Sequence, residues 1–120
     1  MIDKWIVLLN YNLAARCNSL ASQLSLHGDL GVFVVDNASA SADFAALKQV
    51  VIDLGGLVSE SGDAAGNATA IERFVRGGGR LVLYRNPENL GYSGGNNTAL
   101  RLLAPMFGDR GQFLVMNPDV

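Results

Sequence analysis

This chain of 120 residues has one cysteine, one histidine and few charges. The single Cys17 excludes an internal disulfide, so the fold depends on its hydrophobic core. Charged residues make up 17%, below the roughly 25% of an average soluble domain. Nine basic residues against eleven acidic ones leave no basic excess, which argues against nucleic acid or an anionic membrane as a partner.

Long apolar runs are also missing. No stretch approaches the ~18 residues of a membrane span, and the apolar run near the start is too short for the core of a signal peptide before polar Asn10. We therefore expect a cytoplasmic setting, with membrane association of a longer protein as an alternative. What is abundant is apolar residues, at 49%, and glycine, at 14 residues, which together predict one ordered domain with loops shaped by the backbone.

Short apolar runs alternate with segments of helical periodicity. The runs predict four strands, at 5–9, 32–35, 81–83 and 112–116, and helices between them. Residues 55–79 read mainly as a loop with a short helix near Ile71. The pattern predicts an α/β fold, a three-layer Rossmann-like sandwich around a mainly parallel sheet. Asn12 and Ser41 are predicted caps of the first two helices.

Polar residues follow all four predicted strands. In parallel sheets, ligands bind outside the carboxyl ends of the strands, so these positions are the candidate site. A glycine-rich loop at 89–97 opens a helix, whose free N–H groups can hold a phosphate, but it matches neither a dinucleotide fingerprint nor a P-loop. His27 and Cys17 have no partners for nucleophilic catalysis, which makes a hydrolase poorly supported.

Four sequence pieces carry a family resemblance: IVLLNYN (6–12), VVDNAS (34–39), RNPENLGYSGGNN (85–97) and FLVMNPDV (113–120). In their order and spacing they resemble the N-terminal half of a family 2 glycosyltransferase with the GT-A fold, in the branch that includes rhamnosyltransferases of polysaccharide biosynthesis. The resemblance implies the strand order 3-2-1-4, counted in chain order, and an inverting transfer of a sugar from a UDP- or dTDP-sugar to a glycan or lipid-linked acceptor.

The resemblance also implies roles for individual residues. Tyr11 would lie against the nucleotide base, and Asp36 would accept a hydrogen bond from the base N3–H or the ribose. Asp119 would ligate a divalent cation, Mg²⁺ or Mn²⁺, that neutralises the diphosphate leaving group. The other residues that the resemblance places beside the nucleotide are Asn10, Asn12, Asn89, Gly91 and Asn97.

The chain departs from the family pattern at several places. Asn117 replaces the first Asp of the family's D-x-D motif, so we expect weak metal binding without nucleotide. Asn96 stands where the family often has Arg, and residues 55–79 exceed the usual connection in length. No residue matches the family's general base, which we expect beyond Val120, so no catalytic residue is assigned.

We therefore interpret residues 1–120 as the nucleotide-sugar-binding N-terminal half of a GT-A domain, inactive alone. Two alternatives stay open: a non-catalytic nucleotide-binding module, and an unrelated Rossmann-like nucleotide or phosphate binder. A sheet that stops at its fourth strand leaves an edge and an apolar face exposed, so we also expect self-association into a homo-oligomer through the C-terminal strand.

Overall fold

The computed structural model describes residues 1–60 and 64–118. Five strands form one sheet in the order β3-β4-β2-β1-β5, and every neighbouring pair is parallel. The strands are β1 Lys4–Asn10, β2 Gly31–Asp36, β3 Leu57–Glu60, β4 Leu81–Arg85 and β5 Gln112–Met116. The helices are α1 Ala14–Leu24, α2 Ser41–Asp53, α3 Ala64–Arg76 and α4 Gly91–Leu103, followed by two short 3-10 turns.

Alternation along the strands divides the core into two layers, as expected for strands buried on both faces. On one face, Trp5, Val7 and Phe33 pack with residues of α3 and α4. On the other, Ile6 and Leu8 pack with residues of α1 and α2. The predicted fold class, a three-layer α/β sandwich, is confirmed.

The four predicted strands lie in the order that the resemblance implies, and the sheet has one strand more than predicted. The short helix predicted near Ile71 is confirmed, but the loop predicted for the rest of residues 55–79 is wrong, because β3 lies there and α3 begins at Ala64 and has 13 residues. Strand β3 has only four residues and one fully buried side chain, which is too little for a periodic signal. The first half of α3 is rich in Ala and polar residues and shows no apolar stripe in the sequence.

Strand β5 forms one edge of the described sheet, and Leu114 on it is 57% exposed. An edge strand offers unpaired backbone groups, and an exposed leucine adds an apolar contact. Self-association through this strand stays a prediction.

The thiol of Cys17 is fully buried on α1 in the second core layer. Burial, and to a lesser extent the charges of Asp43 and Asp36, raise the pKa of this thiol from 9.0 to about 12. Thiols react as thiolates, so a high pKa in a covered position makes the side chain inert. Cys17 is therefore a core residue.

This shift predicts a loss of stability in alkaline solution. Above pH 9 the thiol of Cys17 ionises in the unfolded chain but stays neutral in the folded protein. The contribution of the neutral thiol to the free energy of unfolding is therefore intact below pH 9 and is lost as the pH rises toward 12. At pH 10.5 the loss in the free energy of unfolding is about 2 kcal/mol, at 1.36 kcal/mol per pH unit above pH 9. Urea denaturation of the wild type and of Cys17→Ala at pH 8 and 10.5 measures it as the difference between their pH slopes. Equal slopes would contradict the assignment.

Candidate functional site

The first two strands end side by side at two buried polar residues. Asn10 closes β1 opposite Asp36, which closes β2, and neither side chain reaches solvent. The amide Nδ2 of Asn10 donates to Asp36 Oδ1 at 2.8 Å and lies 3.2 Å from Ser39 Oγ. A buried polar group costs free energy unless it is hydrogen-bonded, so the Asn10–Asp36 pair is favoured over either side chain alone. This pair joins the turns that follow the two strands.

The turn after β1 presents Tyr11 to solvent between two anchored neighbours. Asn12 has a φ of 56°, its backbone N–H donates to Ser39 Oγ at 2.9 Å, and its Oδ1 accepts from the Ala40 N–H at 2.9 Å. The sequence predicted Asn12 as the cap of α1. This prediction is wrong, because the Asn12 side chain is hydrogen-bonded to the turn after β2. Tyr11 itself is 48% exposed, which leaves its ring available to a ligand. The predicted cap of α2, Ser41, is also not a cap, because it is the first residue of the helix.

The carboxylate of Asp36 is satisfied on both oxygens. Oδ1 accepts from Asn10, and Oδ2 accepts from the Ser39 N–H at 3.2 Å and lies 3.7 Å from Nε of Arg85. Arg85 closes β4, stacks its guanidinium 4.3 Å from the centre of the Phe44 ring, and donates to the Ser39 carbonyl at 2.9 Å. The buried negative charge thus has a partly exposed cation as its partner.

Asn37 organises the loop between β4 and α4. Its Nδ2 donates to Asn89 Oδ1 at 3.0 Å and to the Gly91 carbonyl at 2.9 Å. Its Oδ1 accepts from Asn86 Nδ2 at 3.1 Å and from the Leu90 N–H at 3.2 Å. One side chain that is 1% exposed therefore joins the end of β2 to the first turn of α4.

Helix α4 begins inside the glycine-rich loop, at Gly91, whose φ of 76° favours glycine. The side chain of Asn89 accepts from the Gly91 N–H at 2.9 Å and shapes this start. Further along, a Cβ on Gly95 would lie 2.4 Å from Leu9 Cδ1 and 3.0 Å from Asn37 Nδ2. The missing side chain lets α4 approach the end of β1.

Replacing Gly95 with Ala is expected to lower the free energy of unfolding by about 1 to 2 kcal/mol, because overpacking outweighs the gain of about 1 kcal/mol in helix propensity. Urea denaturation measures the effect. Gly28→Ala is the control, since a Cβ there meets nothing within 4 Å. An increase in the stability of Gly95→Ala would show that the close approach does not constrain α4.

The structure brings most of the predicted site residues to one edge of the sheet. Asn10 and Asp36 lie buried at its base, while Tyr11, Asn12, Asn89 and Gly91 form its exposed rim. Asn97 lies on the exposed side of α4, and in the described part of the chain it makes no hydrogen bond to the others. Asp119, the predicted metal ligand, lies outside the described residues.

Two interactions at this edge were not apparent from the sequence. Arg85 is the first residue of the motif at 85–97, but nothing in the sequence indicates that it neighbours Asp36 in space. Asp43 sits in the first turn of α2, where an acidic residue is expected to compensate that helix's own dipole. Instead its carboxylate accepts hydrogen bonds from Ala14 and Asn10.

Metal-binding groups are sparse among residues 1–60 and 64–118, where no three His, Cys, Asp or Glu side chains converge. Asn96 is 5% exposed, and neither its Nδ2 nor its Oδ1 has a hydrogen-bond partner in the described structure. In the resemblance drawn from the sequence, this residue stands where the resembled family often has Arg.

No family model and no curated protein matches this sequence. Among solved structures, the chain is similar to the mannosyltransferase PcManGT from Pyrobaculum calidifontis, determined in complex with GDP-Man and Mn²⁺. The likeness has a TM-score of 0.51 at 19% identity and covers 82% of this chain and 24% of that one. The chain thus shares its α/β fold with part of that enzyme and spans about a quarter of its length.

None of the helices in the described ranges is long and apolar enough to cross a bilayer.

Proposed function

We propose that residues 1–120 are the nucleotide-sugar-binding N-terminal half of an inverting glycosyltransferase of the GT-A type, in the family 2, rhamnosyltransferase-like branch. The observation that carries the proposal is the polar carboxyl edge of the sheet, where an exposed tyrosine lies on the turn after β1 and this turn is hydrogen-bonded to the turn after β2. Ligands of parallel α/β sheets bind at this edge. The likeness in fold to a nucleotide-sugar enzyme supports the same assignment.

Tyr11 supplies the flat apolar surface for a nucleotide base. Its ring is about half exposed, and its backbone is fixed through Asn10 and Asn12 on either side. Stacking of a base on this ring costs the protein little conformational entropy, because the turn is already ordered. The amides of Asn89 and Asn97 and the start of α4 at Gly91 lie toward the phosphates.

We expect Asp36 to accept a hydrogen bond from the base that stacks on Tyr11. A carboxylate has about four acceptor positions, and in the free protein three groups lie against this one, so one position is left for a uracil or thymine N3–H. Because Asp36 is fully buried, the base reaches it only when a covering side chain such as Arg85 shifts. Cytosine has an acceptor at N3 and is disfavoured.

The proposed ligand of a divalent cation is Asp119. The chemistry of the donor set suits a hard cation, since one carboxylate is enough when phosphate oxygens supply the other positions. When bound, the cation neutralises charge that develops on the diphosphate leaving group. We assign no general base among these residues, so we expect binding of the donor without transfer of the sugar to a glycan or lipid-linked acceptor.

Isothermal titration calorimetry with UDP, dTDP, GDP and CDP, each with and without Mn²⁺, tests the proposal. We expect UDP or dTDP to bind at least tenfold more tightly than CDP, and Mn²⁺ to strengthen the binding. GDP is included because the mannosyltransferase of similar fold was determined with GDP-Man. A folded sample that binds none of the four would contradict the proposed function.

A further inference from the structure

Asp43 links the first turns of two helices. It lies in the first turn of α2, yet its Oδ1 accepts from the backbone N–H of Ala14 at 3.0 Å and its Oδ2 accepts from Asn10 Nδ2 at 2.9 Å. Ala14 is the first residue of α1. One carboxylate therefore contacts both ends of the turn that carries Tyr11.

Helix α1 has no cap of its own. The residue before it, Leu13, makes no side-chain cap hydrogen bond, and its first turn contains no acidic residue. The free N–H groups of a helix start are stabilised by an acceptor and by negative charge. Asp43 supplies both to α1 from the neighbouring helix.

The second oxygen of Asp43 fixes the orientation of the Asn10 amide. The Nδ2 of Asn10 lies between two carboxylates, at 2.8 Å from Asp36 and 2.9 Å from Asp43, while its Oδ1 accepts from the Leu13 N–H at 3.1 Å. A flipped amide would place its oxygen against both carboxylates, so this arrangement has a single orientation. Asp43 thereby determines which acceptor position of Asp36 stays occupied by Asn10.

We propose that Asp43 is a positioning residue of the nucleotide site, acting on Asp36 through Asn10 and on Tyr11 through the start of α1. The proposal rests on the proposed function. Asp43 touches no ligand itself. It sets the hydrogen-bonding state of the base-reading carboxylate and thus the selectivity for a base with an N–H at N3.

The substitution Asp43→Asn separates positioning from capping. Asparagine offers one acceptor oxygen where Asp43 offers two. When this oxygen accepts from Ala14, the NH₂ group faces the NH₂ group of Asn10, so the capping bond survives and the contact with Asn10 is lost, and the backbone signal of Ala14 reports this orientation. We expect UDP affinity to fall about tenfold, equivalent to 1.4 kcal/mol, and the ratio of UDP to CDP affinity to fall toward one. Asp53→Asn, at the exposed end of α2, is the matched control and keeps both values.

A role confined to capping predicts the opposite pattern. Asp43→Asn would then keep the wild-type ratio of UDP to CDP affinity, and only Asp43→Ala would weaken UDP binding, which overturns the proposal. The affinity ratio is informative because partial unfolding lowers both affinities by the same factor.

A second readout uses the free protein and distinguishes failure of this inference from failure of the proposed function. In ¹⁵N-resolved spectra, we expect the Asn10 side-chain NH₂ signals to shift in Asp43→Asn while the backbone signal of Ala14 stays near its wild-type position. Unmoved Asn10 signals overturn the inference even if UDP binds. A wild-type protein that binds no nucleotide refutes the proposed function instead. Should Asp43→Asn not fold, slow solvent exchange of the wild-type Asn10 NH₂ protons tests the same contact, and fast exchange overturns it.

Discussion

Replacing Asn37 with Asp is expected to lower the free energy of unfolding by about 3 to 5 kcal/mol, because it buries a carboxylate charge that has no cationic partner. The change is isosteric, but it turns the Nδ2 donor into an oxygen. That oxygen would face Asn89 Oδ1 and the Gly91 carbonyl, its two present acceptors, at about 3 Å. Urea denaturation at pH 7 measures the loss.

Asn97→Asp is the matched control for this experiment. It makes the same chemical change at an exposed side chain on α4, the helix whose start Asn37 contacts. We expect its stability to stay within about 0.5 kcal/mol of the wild type. Equal stabilities of Asn37→Asp and Asn97→Asp would show that Asn37 does not hold the loop between β4 and α4.

The second large effect is expected at Tyr11. Its replacement with Ala should weaken UDP binding about 10- to 100-fold, because stacking of a base on an aromatic ring contributes about 1 to 3 kcal/mol. Tyr11→Phe keeps the ring and should bind within about threefold of the wild type. The Tyr11 side chain is about half exposed in the free protein, so the stability of either variant should change little.

Calorimetric titration of the three proteins with UDP decides the role of Tyr11. If Tyr11→Ala binds UDP as tightly as the wild type does, the base lies elsewhere. If Tyr11→Phe loses as much affinity as Tyr11→Ala, the hydroxyl rather than the ring makes the contact.

The strands that are buried on both faces were predictable from the sequence. Strands β1, β2 and β4 are apolar on both faces, so short continuous runs of Val, Ile and Leu reveal them. Strand β3 and the first half of α3 were not predictable, because an edge strand of four residues and an Ala-rich helix start have no periodic signal. Their formation depends on packing against β4 and the rest of the core.

The position of the candidate site was predictable from the sequence, but most of its hydrogen bonds were not. The rule that ligands bind at the carboxyl ends of parallel strands places Tyr11 and Asp36 at one edge. The sequence does not reveal that Asp36 is fully buried or that Asp43 contacts a different helix, because both depend on how the two turns pack together. The role of Asp119 stays a prediction.

The most direct test of the nucleotide site is a ¹⁵N–¹H correlation spectrum of the protein titrated with UDP and Mg²⁺. The account predicts saturable shifts at Tyr11, Asn12, Asn89, Gly91 and Asn97, on the rim at the carboxyl edge of the sheet. It predicts no shift at Leu26 or Gly78, which lie beyond the C-terminal ends of α1 and α3. Saturable shifts confined to those two positions, or no shifts at a millimolar concentration of UDP, would contradict it.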